Sequence, residues 1–148
     1  MDSSFILLLS FFSQLNAKDG ERNQAIEIVP SFHYDDETSG YGIDLNYIFY
    51  RKDHLDQLAT VNYNNFYDNC IASLMYGVRL KPINFEEFSF FLQARGGIMI
   101  TSSHILPDFD ADASAGILFH LAKGDIVTSF GYSGGLYYEI GIGYSYSF

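Results

Sequence analysis

The amino-acid sequence predicts an all-β fold, an eight-stranded antiparallel up-and-down transmembrane β-barrel, on the basis of three observations. The 148 residues include 12 Tyr, 14 Phe and 13 Gly but no Trp, a composition that suits strands and tight turns. Apolar and polar residues alternate with the period of two that strands require, from about residue 24 onward. The alternating segments average about ten residues, the length at which a tilted strand crosses a bilayer.

Composition and charge narrow the class of protein further. A chain of 148 residues suits one domain, and 48% hydrophobic against 18% charged residues excludes a disordered chain. With 8 basic and 18 acidic residues the net charge is -10, which argues against nucleic-acid binding. The single cysteine excludes an internal disulfide and a cysteine zinc cluster. We expect a single-domain protein without a cofactor.

The first 17 residues have the pattern of a signal peptide. Residues 5–15, FILLLSFFSQL, are apolar but shorter than the roughly 20 residues that a membrane-spanning helix needs. The sequence turns polar at Lys18, directly after Ala17, where we expect cleavage. We therefore predict export, with residues 1–17 removed and residues 18–148 forming the barrel domain.

Eight segments show the strand alternation. They are residues 25–34, 41–50, 57–65, 70–80, 86–100, 112–122, 125–133 and 137–148. The last is the clearest, because every second residue from Tyr138 to Phe148 is aromatic or aliphatic and the intervening ones are mostly small or polar. Segments 25–34 and 57–65 continue the pattern more weakly, and 125–133 is short. The longest predicted connection is 101–111, at the end of the barrel opposite the tight turn at 123–125.

The distribution of charge predicts which face points inward. The face opposite the apolar one has few charges and many small residues, which suits a narrow lumen better than a water-exposed exterior. The apolar face has almost no charge in mid-strand and gathers Tyr and Phe near the strand ends, as a lipid-facing surface requires. The alternative is a soluble, lipocalin-like carrier, which would have these faces reversed.

The C-terminal segment Gly141-Ile142-Gly143-Tyr144-Ser145-Tyr146-Ser147-Phe148 resembles the closing strand of bacterial outer-membrane β-barrels. In that family the terminal aromatic strand is the signal read by the barrel-assembly machinery, which would make Tyr144, Tyr146 and Phe148 the assembly signal. The resemblance extends as a pattern from about Gln24 to the C-terminus. We expect a monomer in the cell outer membrane, in contact with outer-membrane lipid and lipopolysaccharide. The resemblance also implies a periplasmic N-terminus, short periplasmic turns and outward-facing loops.

Five charged residues fall on the predicted interior face and form a candidate charge network of the lumen. They are Glu27, Asp44, Arg79, Arg95 and Glu139. The planar guanidinium of arginine can bridge carboxylates in such a low-dielectric lumen. The network would serve either a narrow, gated pore or a structural plug. We predict the plug, because an eight-stranded barrel is only wide enough for its own side chains to fill it.

A second resemblance raises an enzymatic alternative. The segment from Tyr132 to Leu136, followed by Glu139, is similar to a motif of lipid A 3-O-deacylases, small outer-membrane barrels with a serine nucleophile activated by His and Glu. The resemblance would make Ser133 the nucleophile and Glu139 the acid, but Gly131 occupies the position of the histidine base. We therefore predict a structural or surface role without catalysis and keep the lipid A esterase as the alternative.

Three aspartates at alternate positions resemble the start of a calcium-binding loop. Asp108, Asp110 and Asp112 lie in or beside the predicted loop 101–111. The sixth position of an EF-hand loop would be Ala113 instead of Gly, and the twelfth would be Phe119 instead of Glu. We expect a solvated acidic loop here and no metal site.

Overall fold

The computed structural model describes residues 23–66, 69–133 and 137–148, which form one closed β-barrel. The signal peptide predicted for residues 1–17 lies outside these residues, as do residues 18–22 of the predicted barrel domain. The strands are β1 (Ala25–Tyr34), β2 (Ser39–Arg51), β3 (Leu55–Phe66), β4 (Asn69–Asn84), β5 (Phe88–Thr101), β6 (His104–Leu121), β7 (Gly124–Ser133) and β8 (Tyr137–Ser147). Within the described ranges no helix has the length and apolar character needed to cross a membrane.

Each strand pairs in antiparallel fashion with the next along the chain, and β8 closes the barrel on β1. This arrangement confirms the predicted eight-stranded antiparallel up-and-down barrel. Ala25 and Ser147 face each other across the closing seam. We call the end of the barrel that holds these two residues the inner end, and the opposite end the outer end.

Side chains alternate between a buried lumen and an exposed exterior along most of each strand. In β1 the pattern is strict, with Glu27 and His33 fully buried and Ile26 and Phe32 half exposed. Polar residues therefore point inward and apolar residues outward, as the charge distribution predicted. The lumen also contains a small apolar cluster made of Val29, Phe91, Leu118 and Val127.

The seam between β1 and β8 contains an irregularity that the sequence explains. The register runs from Ile28, opposite Tyr144, to Ser31, opposite Gly141, and the two intervening residues of β1 have no partner in β8. One of these is Pro30, which has no backbone N–H to donate to the ladder. The backbones of β1 and β8 nevertheless lie close together here. A Cβ at Gly143 would collide with the carbonyl oxygen of Ile28, so only glycine fits.

The predicted loop 101–111 is wrong, because most of it belongs to β6. The turn between β5 and β6 occupies only residues 102 and 103, and Asp108 already pairs with Met99. Pro107 and three aspartates, residue types that are depleted in strands, hid this part of β6 from the sequence pattern. The proline is accommodated by a bulge, since residues 105–107 of β6 lie opposite Ile100 alone.

Candidate functional site

The inner half of the lumen contains a fully buried arginine-carboxylate pair. Arg79 on β4 donates from Nη1 and Nη2 to the two carboxylate oxygens of Glu27 on β1, at 3.0 and 2.8 Å. Its Nε donates to Gln93 at 2.9 Å, and its guanidinium lies 4.6 Å from the centre of the Phe91 ring. Asn46 donates a further hydrogen bond to Glu27 at 2.8 Å. The pair thus connects two strands across the lumen through two parallel hydrogen bonds between the guanidinium and the carboxylate.

Two further ion pairs lie nearer the inner end. Lys81 Nζ lies 2.7 Å from Asp56 Oδ1, and both side chains are almost fully buried. Arg51 pairs with Asp125 and donates to Ser147 at 2.8 Å. Three cations therefore face three carboxylates in this half. We call these six residues the inner cluster: Glu27, Arg51, Asp56, Arg79, Lys81 and Asp125.

The outer half of the lumen is organised around Arg95 on β5. Its Nη2 lies 2.6 Å from Asp112 Oδ2, its Nε donates to Asp112 Oδ1 at 2.9 Å, and its Nη1 donates to Asp44 at 2.5 Å. The side-chain amide of Asn62 also donates to Asp44. Asp110, two residues before Asp112 on the same face of β6, accepts a hydrogen bond from Ser73 at 2.6 Å.

Glu139 on β8 and His33 on β1 complete this outer group. Glu139 Oε2 lies 3.7 Å from His33 Nδ1, and His33 Nε2 lies 3.0 Å from Ser31 Oγ. The imidazole ring packs against Tyr137 and Phe66, with ring centres 4.9 and 5.7 Å away. We call these six residues the outer cluster: His33, Asp44, Arg95, Asp110, Asp112 and Glu139.

Little space remains between the two clusters. The water-accessible cavity at mid-lumen has a volume of only about 10 Å³ and is lined by members of both clusters, including Arg79, Arg95 and Glu139. A cavity of this size holds about one water molecule. At the inner end an open pocket of about 280 Å³ is lined by residues that include Arg51, Lys81 and His120.

The five residues predicted as one network of the lumen are divided between the two clusters. Glu27 and Arg79 bind each other in the inner cluster, and Asp44 binds Arg95 in the outer one. Glu139 belongs to the outer cluster, where its ion-pair contact is with His33. The prediction did not include His33, although its parity along β1 places it on the same inward face as Glu27.

The prediction of the network also omitted four carboxylates and two cations that line the lumen. Asp110 was missed because it falls in the predicted loop 101–111. Asp112 was missed because it was grouped with the aspartates of that loop, although it begins the predicted strand 112–122. Asp56, Lys81, Arg51 and Asp125 were missed because they lie at strand ends, where the sequence pattern indicated turns. The parity of each strand, extended by a few residues, was the signal that would have found Asp56 and Lys81.

The candidate serine nucleophile faces the lumen. Ser133 is the last residue of β7, is buried, and is hydrogen-bonded to Tyr137. Gly131, at the position of the missing histidine base, has no room for one, because a Cβ there would lie 2.8 Å from the Cβ of Ser114. His33 is paired with Ser31 and Glu139 instead, and its side chain is fully buried in the lumen. Among the described residues no hydrogen bond joins Ser133 to a histidine.

The candidate metal ligands are not in a loop, which corrects the predicted solvated acidic loop. Asp108, Asp110 and Asp112 share one face of β6; Asp108 is exposed, whereas Asp110 and Asp112 turn into the lumen, bound to Ser73 and Arg95. In the described part of the chain no group of three or more His, Cys, Asp or Glu side chains could hold a metal ion.

The aromatic residues of the C-terminal segment all point outward near the inner end. Tyr144, Tyr146 and Phe148 are each about half exposed, and the rings of Tyr146 and Phe148 stack with centres 6.4 Å apart. Phe148 lies just beyond the end of β8, and its backbone N–H donates to the carbonyl oxygen of Gln24 at 3.0 Å.

Comparison with known proteins gives similarity of fold alone. No protein-family model matches the sequence, and no curated protein sequence matches it. The crystal structure of Neisserial surface protein A is 11% identical with a TM-score of 0.68, over 84% of this chain and 96% of that chain. A structure from the de novo design of transmembrane β-barrels is 14% identical with a TM-score of 0.63, over 88% and 98%. The solution structure of the designed barrel TMB2.3 is 15% identical with a TM-score of 0.56, over 88% and 97%. The chain therefore has the fold of a small transmembrane β-barrel.

Proposed function

We propose that this protein is an integral β-barrel of the bacterial outer membrane with a structural or surface role. On this proposal its lumen is plugged by polar side chains and it performs no catalysis. The observation that carries the proposal is the combination of an apolar exterior with a charged, filled lumen. Such a distribution is stable only where lipid surrounds the barrel.

The exterior supports membrane insertion because its apolar residues form a continuous belt. Leu45, Val61, Leu74 and Ile98 are neighbours in register across β2 to β5, and each is about half exposed. Exposed apolar patches larger than a few hundred Å² are rare on soluble monomers. The lumen, by contrast, is lined mostly by polar side chains, so it does not suit the soluble carrier, which needs an apolar cavity.

The outer membrane is the compartment that the sequence features favour. The signal peptide predicted at residues 1–17 would deliver the chain to the periplasm, and Tyr144, Tyr146 and Phe148 would then be read by the barrel-assembly machinery. The fold that the chain shares with Neisserial surface protein A is consistent with this location. The exterior would contact outer-membrane lipid and lipopolysaccharide.

The two arginines support a closed lumen. Arg79 reaches from β4 to β1, and Arg95 reaches from β5 to β2, so each guanidinium connects strands that are not neighbours in the barrel. An ion passing through the lumen would have to displace a buried, hydrogen-bonded pair, which is costly. The small volume of the mid-lumen cavity, about 10 Å³, also supports a closed lumen.

Electrophoretic mobility of the detergent-folded protein, boiled against unboiled, tests the barrel in membrane-like surroundings. Closed membrane barrels resist SDS until heated, because every strand is paired. We expect a heat-dependent shift in mobility and solubility only in the presence of detergent or lipid. A protein that shows no shift and dissolves in plain buffer would contradict the proposal and support a soluble barrel.

Conductance in planar bilayers tests the plug. We expect no discrete conductance steps from the wild-type protein. The double variant Glu27→Ala with Arg79→Ala is the control, because it removes the inner pair without leaving a lone charge and opens the space that the pair fills. Steps from the double variant alone would support the plug, whereas steps from the wild type would overturn it.

A further inference from the structure

The outer cluster contains more negative charge than its cations compensate. Among the described residues it has four carboxylates, those of Asp44, Asp110, Asp112 and Glu139, and one guanidinium, that of Arg95. With His33 neutral, its formal charge is three negative units, whereas the inner cluster has three cations for three carboxylates. Uncompensated charge in a buried site is unfavourable, so the outer cluster requires another source of positive charge.

We propose that His33 and Glu139 hold one proton between them, and that this proton keeps the outer half of the lumen closed. The proton sits either on His33 Nδ1, facing the carboxylate, or on the carboxyl group of Glu139, facing the ring nitrogen. In both forms the pair has one negative charge less than it has when fully deprotonated. The inference builds on the proposed closed lumen and adds a condition under which the lumen loosens.

The hydrogen bonds of the cluster point to this pair among its carboxylates. Asp44 and Asp112 are bound by Arg95, and Asp110 accepts from Ser73. Glu139, in contrast, has its ion-pair contact with the imidazole of His33 at 3.7 Å. The shared proton is therefore assigned to Glu139 and His33, because the Arg95 guanidinium binds Asp44 and Asp112 instead.

The position of His33 is a second, independent observation. The residue is fully buried, yet its Nδ1 has no hydrogen-bond partner within the described residues. Its other ring nitrogen is occupied by Ser31 Oγ at 3.0 Å, and the ring is held between Tyr137 and Phe66. A buried polar atom without a partner is unfavourable. A shared proton removes this defect, because a small rotation of Glu139 closes the 3.7 Å gap to a hydrogen bond.

The charged groups that face Glu139 from the other strands are mostly carboxylates, and they favour its protonated form. Asp44 faces it from β2 and Arg95 from β5, Asp110 and Asp112 from β6, and the Tyr137 hydroxyl from its own strand. Described residues of β3, β4 and β7 near this level contribute amides and hydroxyls, namely Asn62, Asn64, Ser73 and Ser133. Alkaline pH would remove the shared proton, and repulsion among the carboxylates would then weaken the outer half of the barrel.

The pH dependence of stability tests the proposal in protein that already shows the heat-dependent shift near neutral pH. The urea midpoint of that shift is measured from about pH 6.5 to about pH 9 for the wild type, Glu139→Gln and Glu86→Gln. Above about pH 6.5 His33 and Glu139 have both released their protons in the unfolded chain, whereas the folded pair retains one. The free energy of unfolding of the wild type therefore falls as pH rises. Glu139→Gln should flatten this slope. Glu86→Gln, at an exposed turn, should keep the wild-type slope.

Two results would overturn the proposal. One is a Glu139→Gln variant that keeps the full wild-type slope, which would assign the titration to other carboxylates. The other is a wild-type slope that disappears when the same pH series is measured with added sodium or magnesium salt, which would show that a bound cation supplies the missing charge. A failure of the heat shift itself would concern the barrel and not the proton, so the two failures are distinguishable.

Nitrogen NMR of the histidine rings in wild-type protein keeps the test independent of whether a variant folds. Loss of one signal set in His33→Gln assigns the His33 ring. We expect the wild-type His33 ring nitrogens to change their shifts over the same pH range in which stability falls. A His33 ring that stays constant while stability falls would overturn the shared proton.

Discussion

The two halves of the lumen use the same kinds of side chain in different proportions. In the inner half each guanidinium or ammonium group has a carboxylate of its own, as in the contacts of Arg79 with Glu27 and of Lys81 with Asp56. In the outer half one guanidinium, Arg95, serves two carboxylates directly, while Glu139 faces an imidazole. The comparison teaches that a buried network whose carboxylates each have a guanidinium or ammonium partner needs no further positive charge, whereas an unmatched one depends on protons or ions.

The largest expected effect comes from Arg79→Ala in the inner half. The substitution leaves Glu27 fully buried without its cation and removes the contact with the Phe91 ring. We expect a loss of about 4 kcal/mol in the free energy of unfolding, because one partner of a buried ion pair is left uncompensated. The measurement is the urea midpoint of the mobility shift, since the chain has no Trp for fluorescence.

Lys123→Ala is the control for Arg79→Ala, because it removes an exposed cation from a turn at the same end. Its effect should stay within about 0.5 kcal/mol. If Arg79→Ala cost as little as Lys123→Ala, the inner pair would contribute nothing to stability and the comparison of the two halves would fail.

Arg95→Ala in the outer half should lower the free energy of unfolding somewhat less than Arg79→Ala does, and the decrease should depend on pH. The substitution leaves Asp44 and Asp112 without their cation. We expect a loss of about 3 kcal/mol near pH 8 and a smaller loss near pH 5, because the orphaned carboxylates can take up protons in acid. The same urea titration at the two pH values measures this difference. An identical loss at both would show that the outer cluster has fixed charges.

Lys81→Met should have a smaller effect than either arginine variant. Lys81 lines the open pocket at the inner end, so water can reach its position and solvate Asp56 once the ammonium group is gone. We expect a loss of about 2 kcal/mol, with part of it restored by adding Asp56→Asn, which removes the orphaned charge. A double variant no more stable than Lys81→Met would show that the loss comes from packing of the lysine stem instead.

The sequence predicted the barrel correctly, because inside and outside are read directly from a period of two. Glu27 and Arg79 were placed on the inward face by parity alone, and the structure shows them bound to each other. The prediction was weakest where side chains of both faces meet water. At the outer end of β6, Pro107 and Asp108 resemble a loop, yet Asp108 pairs with Met99 of β5 and Pro107 lies in the adjoining bulge.

Contacts across the lumen were not predictable from one strand at a time. Once the register of β5 and β6 is known, Arg95 is expected to bind Asp112, because the two residues lie opposite each other. That Arg95 also reaches Asp44 depends on the tilt of the strands and the width of the lumen. The division of the charges into two clusters follows from the same geometry, and no pattern along the sequence indicates it.

The smallest expected effect concerns Asp35, in the exposed outer turn between β1 and β2. Its Oδ1 accepts hydrogen bonds from the backbone N–H groups of Glu37 and Thr38, at 2.7 and 2.6 Å. These bonds, that of Glu37 first, hold the pKa of Asp35 below its ordinary value. Because the folded pKa is lowered, the contribution of Asp35 to stability is present above the unfolded pKa and is lost as pH falls through the folded one.

The side-chain pKa of Asp35, measured by carbon NMR, checks this prediction, and Asp36→Asn serves as the control because it retains the Asp35 turn. An ordinary pKa for Asp35 would show that the turn does not persist in solution. The sign of the effect sharpens the comparison within the outer end itself. Acid should loosen the Asp35 turn slightly, whereas alkali should loosen the outer cluster directly below it. If the outer end weakened only in acid, the Asp35 turn alone would control its pH dependence. If it weakened only in alkali, the outer cluster alone would do so.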